Sequence, residues 1–89
     1  MDTKKIGAFL KQCRKEKNLT QEQLAEKFGV SARTVSRWET GINMPDLSIL
    51  VQLAEYYDVE MRELLDGERS QTMNKEMKET LDKVAVYEE

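Results

Sequence analysis

Two short helix-forming segments separated by one tight turn constrain the fold of this chain more than any other feature. Thr20 opens the first with a capping box, in which its hydroxyl accepts from the Gln23 amide and the Gln23 side chain returns to the Thr20 amide. Gly29 ends that helix, because glycine readily adopts the left-handed conformation needed just past a helix end. Ser31 then caps a new helix two residues later. The sequence therefore predicts two short helices joined tightly over residues 20–39.

The spacing inside this segment favours a close crossing of the two helices. Counting from Gln21, Ala25 is the fifth residue, Gly29 the ninth and Val35 the fifteenth. A small residue in the first helix lets the second approach closely, and Val35 and Trp38 are spaced to face the core together. This combination is typical of a helix-turn-helix, a motif that many proteins use to read DNA.

Three further helices are predicted around this pair. Apolar residues at spacings of three and four predict the first helix over residues 3–17. The fourth should begin near Pro45, which fixes a helical φ in a first turn, while Asp46 complements the helix dipole. A short fifth helix over residues 61–65 should end near Gly67. The residues expected on the inner face of the fourth helix are Leu47, Leu50, Val51, Leu53, Ala54 and Tyr57.

The length of 89 residues allows a single domain, which the pattern places at residues 1–67 in the all-α class. Residues 68–89 begin as a polar linker and then carry an apolar stripe at spacings of four, four and three. That stripe predicts a short amphipathic tail helix, although a frayed, partly helical tail fits equally well, since short isolated helices are marginal in water. The stripe consists of Met73, Met77, Leu81 and Val84.

Composition excludes several classes of function. The chain has no His and a single Cys, so transition-metal sites, cofactor-bearing metal centres and histidine catalysis are not expected. Cys13 cannot form an internal disulfide and is interpreted as a small core residue. The protein is expected to be cytoplasmic and to bind no cofactor. No apolar run approaches the length that crosses a bilayer. Carboxylates such as Glu22 and Glu26 lack an accompanying nucleophile or phosphate-binding loop, so the chain is not expected to be an enzyme.

The charges are divided unevenly between the two halves of the chain. The whole chain has a net charge of −3, which by itself argues against a polyanionic partner. Residues 1–45, however, contain nine Lys and Arg against five Asp and Glu, a net charge of +4, and the remainder carries −7. The basic half contains the predicted helix-turn-helix, so this polarity would orient the molecule on DNA.

Several stretches of the sequence together resemble the phage-repressor and Cro type of helix-turn-helix regulators, the XRE family. The similarity extends over about residues 4–67 and is specific in its combination of motifs. It implies a compact five-helix, lambda-repressor-like domain that places the helix at residues 31–39 in the major groove, usually as a dimer on a palindromic operator. The stretches are LTQEQL at 19–24, FGVS at 28–31, VSRWETG at 35–41 and MPD at 44–46.

The predicted third helix supplies candidate base contacts. With Val35 and Trp38 facing the core, Arg33 and Arg37 lie one turn apart on the outward face, where each could fork onto the O6 and N7 of a guanine. Phosphate binding or plain solvation are the alternatives for both arginines. Ala32 could contact a thymine methyl or simply favour the first helical turn. The base-contact candidates are Ala32, Arg33, Ser36 and Arg37.

Phosphate contacts are expected at helix starts on either side of the groove. Gln21 lies at the open end of the second helix, where helix amides favour an anion, and family members use this glutamine in that way. Asn43 and the amides before Pro45 form a second candidate clamp, although family members often carry Lys or Arg at the position of Ile42. The phosphate-contact candidates are Thr20, Gln21, Ser31 and Asn43.

The resemblance also implies a partly buried ion pair between Arg14 and Glu39 that docks the first helix on the third. The sequence therefore predicts a double-stranded DNA operator as the partner and a homodimer on it. The fifth helix and residues 58–61 are favoured as the dimer surface over the tail stripe, although both could contribute. The competing hypothesis is a protein-interaction module on the same fold, such as an antitoxin or a regulator that binds through its acidic half.

Overall fold

Five helices form the part of the chain that the computed structural model describes, residues 1–69. They are α1 (Thr3–Glu16), α2 (Gln21–Phe28), α3 (Ala32–Thr40), α4 (Leu47–Tyr57) and α5 (Met61–Asp66), and no strand occurs within these residues. The predicted all-α class and helix order are confirmed. The tail stripe from Met73 to Val84 lies outside the described residues.

The helix ends follow local chemistry. The Thr20 hydroxyl accepts from the Gln23 amide at 3.0 Å and the Thr20 amide donates to the Gln23 side chain at 2.9 Å, which confirms the capping box at α2. Ser31 caps α3 by accepting from the Thr34 amide at 3.1 Å. Gly29 ends α2 with a φ of +68°, in the left-handed region where a side chain is strained.

The start of α4 differs from the expectation. Asp46 is the N-cap residue and accepts from the Ile49 amide at 2.9 Å, while Pro45 lies buried before the helix instead of in its first turn. A carboxylate is a strong N-cap because it accepts a hydrogen bond from a first-turn amide that has no partner within the helix. Proline is tolerated before the cap because it has no backbone N–H that needs an acceptor. Pro45 lies two positions before the first helical residue, Leu47, so its predicted place in the first turn is wrong, whereas Asp46 does lie at the helix start, where its carboxylate complements the dipole.

The core lies between the five helices, each of which contributes buried apolar side chains. Gly7 allows the closest packing, because a Cβ built on it would lie 2.5 Å from the Trp38 carbonyl oxygen and 2.6 Å from that of Glu39. Helix α1 thereby contacts the end of α3 backbone to backbone. The buried apolar side chains are Ile6, Phe9, Leu10, Cys13, Leu24, Ala25, Val35, Trp38, Leu53, Ala54, Tyr57 and Leu64.

Two residues predicted on the inner face of α4 face outward instead. Leu47 is 69% exposed and Val51 is 39% exposed. The first half of α4 is apolar on more than one face, so periodicity alone does not select the side that packs. The core takes the stripe of Leu53, Ala54 and Tyr57, and the stripe of Leu47 and Val51 remains at the surface.

Candidate nucleic-acid interface

The turn between α2 and α3 sets the relative position of the two helices. The Val30 amide donates to the Ala25 carbonyl oxygen at 3.0 Å, which closes the turn after Gly29. Ala25 is buried at the crossing, and Val30 packs against the core although it remains partly exposed. The close crossing predicted from the small residue in α2 is therefore present, and it brings the amino-terminal residue of α3 directly beside the end of α2.

Helix α3 has one buried face and one open face. Val35 and Trp38 are buried, so the interpretation of Trp38 as a core residue is confirmed. Arg33 and Arg37 are exposed, one turn apart, and neither forms an ion pair with any residue between 1 and 69. Ala32 and Ser36 are partly exposed on the same helix. The guanidinium groups are thus available to an external acceptor.

A buried ion pair joins α1 to the end of α3. Arg14 donates to the Glu39 carboxylate from Nε at 2.7 Å and from Nη2 at 3.0 Å, a bidentate contact. Arg14 also donates from Nη1 to the Leu19 carbonyl oxygen at 2.7 Å, just before α2. Hydrogen bonding to Glu39 raises the pKa of Arg14 above its ordinary value, so the guanidinium stays charged. One side chain thereby fixes three elements relative to one another.

Gln21 joins this pair from the start of α2. Its Nε2 donates to Oε1 of Glu39 at 3.0 Å, and the residue is only partly exposed. A side-chain amide has two N–H groups, so one remains for a second acceptor after the first is used. No sequence pattern predicts this contact, because 18 residues separate the partners along the chain and no helical periodicity relates them.

The remaining phosphate-contact candidates are Thr20, Ser31 and Asn43. Thr20 and Ser31 are exposed helix caps whose oxygens accept from backbone amides, which leaves the Thr20 hydroxyl proton free to donate. The Ser31 hydroxyl also shares a hydrogen bond of 3.0 Å with that of Thr34. Asn43 is exposed in the loop after α3, and its backbone N–H donates to the Arg37 carbonyl oxygen at 3.3 Å. Of the eight candidates, four lie on α3, two are the N-caps of α2 and α3, Gln21 is the first residue of α2, and Asn43 lies in the loop after α3.

The arrangement of α2 and α3 matches a known family over most of the folded region. The profile of the helix-turn-helix family HTH_3 matches residues 10–64, which include both helices, the turn and the Arg14–Glu39 pair. The chain belongs to this helix-turn-helix family. The similarity to phage-repressor and Cro-type regulators expected from the sequence is confirmed.

Curated relatives of this helix-turn-helix chain include both signs of regulation. It is 40% identical over 79 residues to the HTH-type transcriptional activator BcrR of Enterococcus faecalis, covering 88% of the chain and 39% of BcrR. It is 31% identical over 85 residues to the cryptic phage CTXphi transcriptional repressor RstR of Vibrio cholerae, covering 96% of the chain and 75% of RstR. The chain spans 53% of a third relative, the uncharacterized regulator YqaE of Bacillus subtilis, at 37% identity.

Solved structures of two similar proteins superimpose on the fold of this chain. The restriction-modification controller protein C.AhdI of Aeromonas hydrophila superimposes with a TM-score of 0.62 at 36% identity, covering 71% of this chain and 91% of C.AhdI. The S. venezulae BldD DNA-binding domain gives a TM-score of 0.61 at 29% identity, over 71% and 94% of the respective chains. The predicted lambda-repressor-like fold is therefore confirmed.

Within residues 1–69, no helix combines the length and the apolar character that crossing a membrane requires.

Proposed function

We propose that this helix-turn-helix chain is a sequence-specific, DNA-binding transcription regulator that inserts α3 into the major groove. The proposal rests on the exposure of Arg33 and Arg37 and on their lack of ion pairs. Both guanidinium groups are exposed and lack an ion pair with any described residue, while Val35 and Trp38 fix the opposite face of the same helix in the core. An unpaired arginine pair on a rigid, outward helix suits bidentate recognition of guanine.

The base-reading surface consists of Ala32, Arg33, Ser36 and Arg37. Arg37 and Arg33 would each read a guanine through O6 and N7, and Ala32 would contact a thymine methyl. Ser36 can donate to or accept from a base edge, because a hydroxyl does both. Helix α3 therefore offers donors, an acceptor and an apolar contact within two turns, enough to distinguish base pairs in the major groove.

Phosphate contacts on both sides of the groove would hold α3 in register. On the α2 side, Gln21 has one N–H directed by Glu39 and a second N–H to donate, and Thr20 and Ser31 add hydroxyl donors at the two caps. On the other side, Asn43 stands exposed after the end of α3. These contacts position the helix and carry no sequence information themselves.

Two copies are proposed to bind a palindromic operator, with recognition helices about 34 Å apart, one turn of DNA. The sequence argument favours α5 and residues 58–61 as the surface between copies. Two of the exposed apolar side chains, Leu47 and Val51, lie on α4 and offer a second candidate surface. Sedimentation of the full chain with Leu47→Lys and with Met61→Lys compares the two surfaces, and the variant that dissociates the dimer identifies the interface.

Repression is the proposed sign of regulation. The chain spans three quarters of the repressor RstR but only 39% of the activator BcrR, so most of that activator lies outside the similarity. A domain that binds an operator over a promoter blocks polymerase without further parts. A reporter placed behind the selected operator should therefore fall in expression when the chain is produced.

Selection of bound sites from random duplex DNA tests the proposed function. We expect enrichment of a two-fold symmetric sequence containing guanines in each half-site, with affinity that falls steeply as salt rises. Recovery of unselected DNA with weak, sequence-independent affinity would contradict sequence-specific recognition and favour the protein-interaction hypothesis.

A further inference from the structure

We propose that Lys4 binds a DNA phosphate at the carboxyl end of α3, a role that rests on the proposed function. The first turn of α1 lies directly against the residue that ends the recognition helix. A Cβ built on Gly41 would lie 2.8 Å from the Lys4 Cα and 2.9 Å from its backbone nitrogen, closer than side chains approach a backbone. Gly41 also has a φ of +81°, so only glycine gives both this turn and this approach without strain.

The side chain of Lys4 shares the face of α1 that is directed towards α3. Gly7, three residues further along α1, is the residue that contacts the carbonyl oxygens of Trp38 and Glu39. Residues three apart are neighbours on one face of a helix. Lys4 is exposed, however, whereas Gly7 is buried, because Lys4 lies at the edge where α1 passes the end of α3.

Lys4 adds a positive charge beside the loop that follows α3, which has no charged residue of its own. Residues 41–44, which follow α3, contain no charged side chain, and Asn43 is the proposed phosphate contact among them. Lys4 forms no ion pair with any residue between 1 and 69. Its ammonium is carried on a flexible four-carbon stem. It can therefore reach an anion beside Asn43 without giving up an existing partner.

The neighbouring Lys5 has a different environment despite its equal charge. Its Nζ lies 3.2 Å from Oε2 of Glu68, and a Cβ built on Gly67 would lie 2.8 Å from the Lys5 Cγ. Lys5 is thus directed towards the end of α5 and away from α3. The two adjacent lysines form a matched pair, of which one is available to DNA and the other is not.

Asp2 is the N-cap residue of α1 and occupies the amides of its first turn. Its Oδ1 accepts from the amides of Lys4 and Lys5 at 3.0 and 3.1 Å. These amides at the start of α1 are therefore occupied by the cap, and the proposed contact is made by the Lys4 ammonium alone.

The test measures the salt dependence of binding for the full chain, using the selected operator and an unrelated duplex of equal length. A phosphate contact contributes about 0.9 to the slope of log K against log salt concentration. Lys4→Gln should lower this slope by about 0.9 and weaken binding to both duplexes by a similar factor, whereas Lys5→Gln should leave the slope unchanged. Thermal melts followed by circular dichroism confirm that both variants fold.

A second variant distinguishes the position of the charge from a structural effect of the substitution. Ile42 follows Gly41 directly and is 71% exposed. Lys4→Gln combined with Ile42→Lys should restore the slope, because the charge returns to the same end of α3.

The proposal for Lys4 is overturned if Lys4→Gln and Lys5→Gln change the slope equally, or if neither changes it. It is also overturned if Ile42→Lys restores nothing. The proposed function fails separately, if the unaltered chain binds no duplex with salt-dependent affinity.

Discussion

Gln21 donates from its side-chain amide to the Glu39 carboxylate at 3.0 Å, which ties the start of α2 to the end of α3. The accepting oxygen, Oε1, also accepts from Nη2 of Arg14 at 3.0 Å. The carboxylate therefore serves the docking of α1 and the orientation of the glutamine at once. Because the buried Arg14 fixes Glu39 through a bidentate contact, Glu39 in turn fixes the orientation of the Gln21 side chain. The second N–H of Gln21 therefore already has a defined direction in the free protein.

Replacement of Gln21 tests its role in positioning. Gln21→Ala should weaken binding by about 1 to 3 kcal/mol on operator and unrelated duplex alike, because a phosphate contact carries no sequence information. Titration of both duplexes measures the effect. Gln52→Ala, at an exposed position on α4, is the matched control and should bind normally. Altered preference at a single base pair would show that Gln21 reads a base instead.

Replacement of Arg37 tests base recognition. Arg37→Ala should lower operator affinity by about 1 to 3 kcal/mol and relax preference at one base pair of each half-site, since the guanine loses its bidentate donor. Repeating the selection of bound sites with the variant measures this change. Lys11→Ala removes an exposed positive charge of α1 and should leave the selected sequence intact. An unchanged selection by Arg37→Ala would refute the assignment.

Replacing only one partner of the Arg14–Glu39 pair should strongly lower the free energy of unfolding. The side chains are 9% and 2% exposed, so Arg14→Met leaves a buried, unpaired carboxylate and should cost about 3 to 5 kcal/mol of the free energy of unfolding. Arg14→Met combined with Glu39→Leu should recover much of this loss, because no buried charge remains. Urea melts compare the variants. Equal stability in all of them would mean that the pair contributes little.

Cys13 should react slowly with thiol reagents while the chain is folded. Burial, partly offset by Arg69, raises the pKa of the Cys13 thiol to about 11. The unfolded thiol ionises near pH 9, so its contribution to stability is complete below pH 9 and is lost as pH rises towards 11. Cys13→Ala should abolish this part of the pH dependence. Rapid labelling of the folded chain at pH 8 would contradict the buried, protonated state.

The Tyr57 hydroxyl should add nothing to stability. It is buried and has no hydrogen-bond partner within residues 1–69, and burial raises the pKa of Tyr57 above its ordinary value. Tyr57→Phe should be neutral or raise the free energy of unfolding by about 1 kcal/mol, because it removes an unsatisfied polar group. Urea melts measure the change. A loss greater than 1 kcal/mol would indicate that the hydroxyl has a partner, such as a buried water.

The ends of the motif helices follow from residue types that are close together in the chain. The capping box of Thr20, the left-handed Gly29 and the cap at Ser31 were all predicted from neighbours within four positions, and the structure contains each of them. Hydrogen bonds at helix ends form between residues close in sequence, so residue type and order suffice to identify them. The small Ala25 and the apolar spacing of α3 likewise predicted the crossing of the pair.

The packing of whole helices, by contrast, sets which surfaces remain exposed and which distant side chains meet. Leu47 is as apolar as the core residues of α4, yet it faces outward because the neighbouring helices cover another side. The contact of Gln21 with Glu39 and the approach of Lys4 to Gly41 depend on how whole helices are placed, and no local pattern encodes that placement. The Arg14–Glu39 pairing was expected from family resemblance alone, since residues 25 positions apart meet only after α1 has packed on α3.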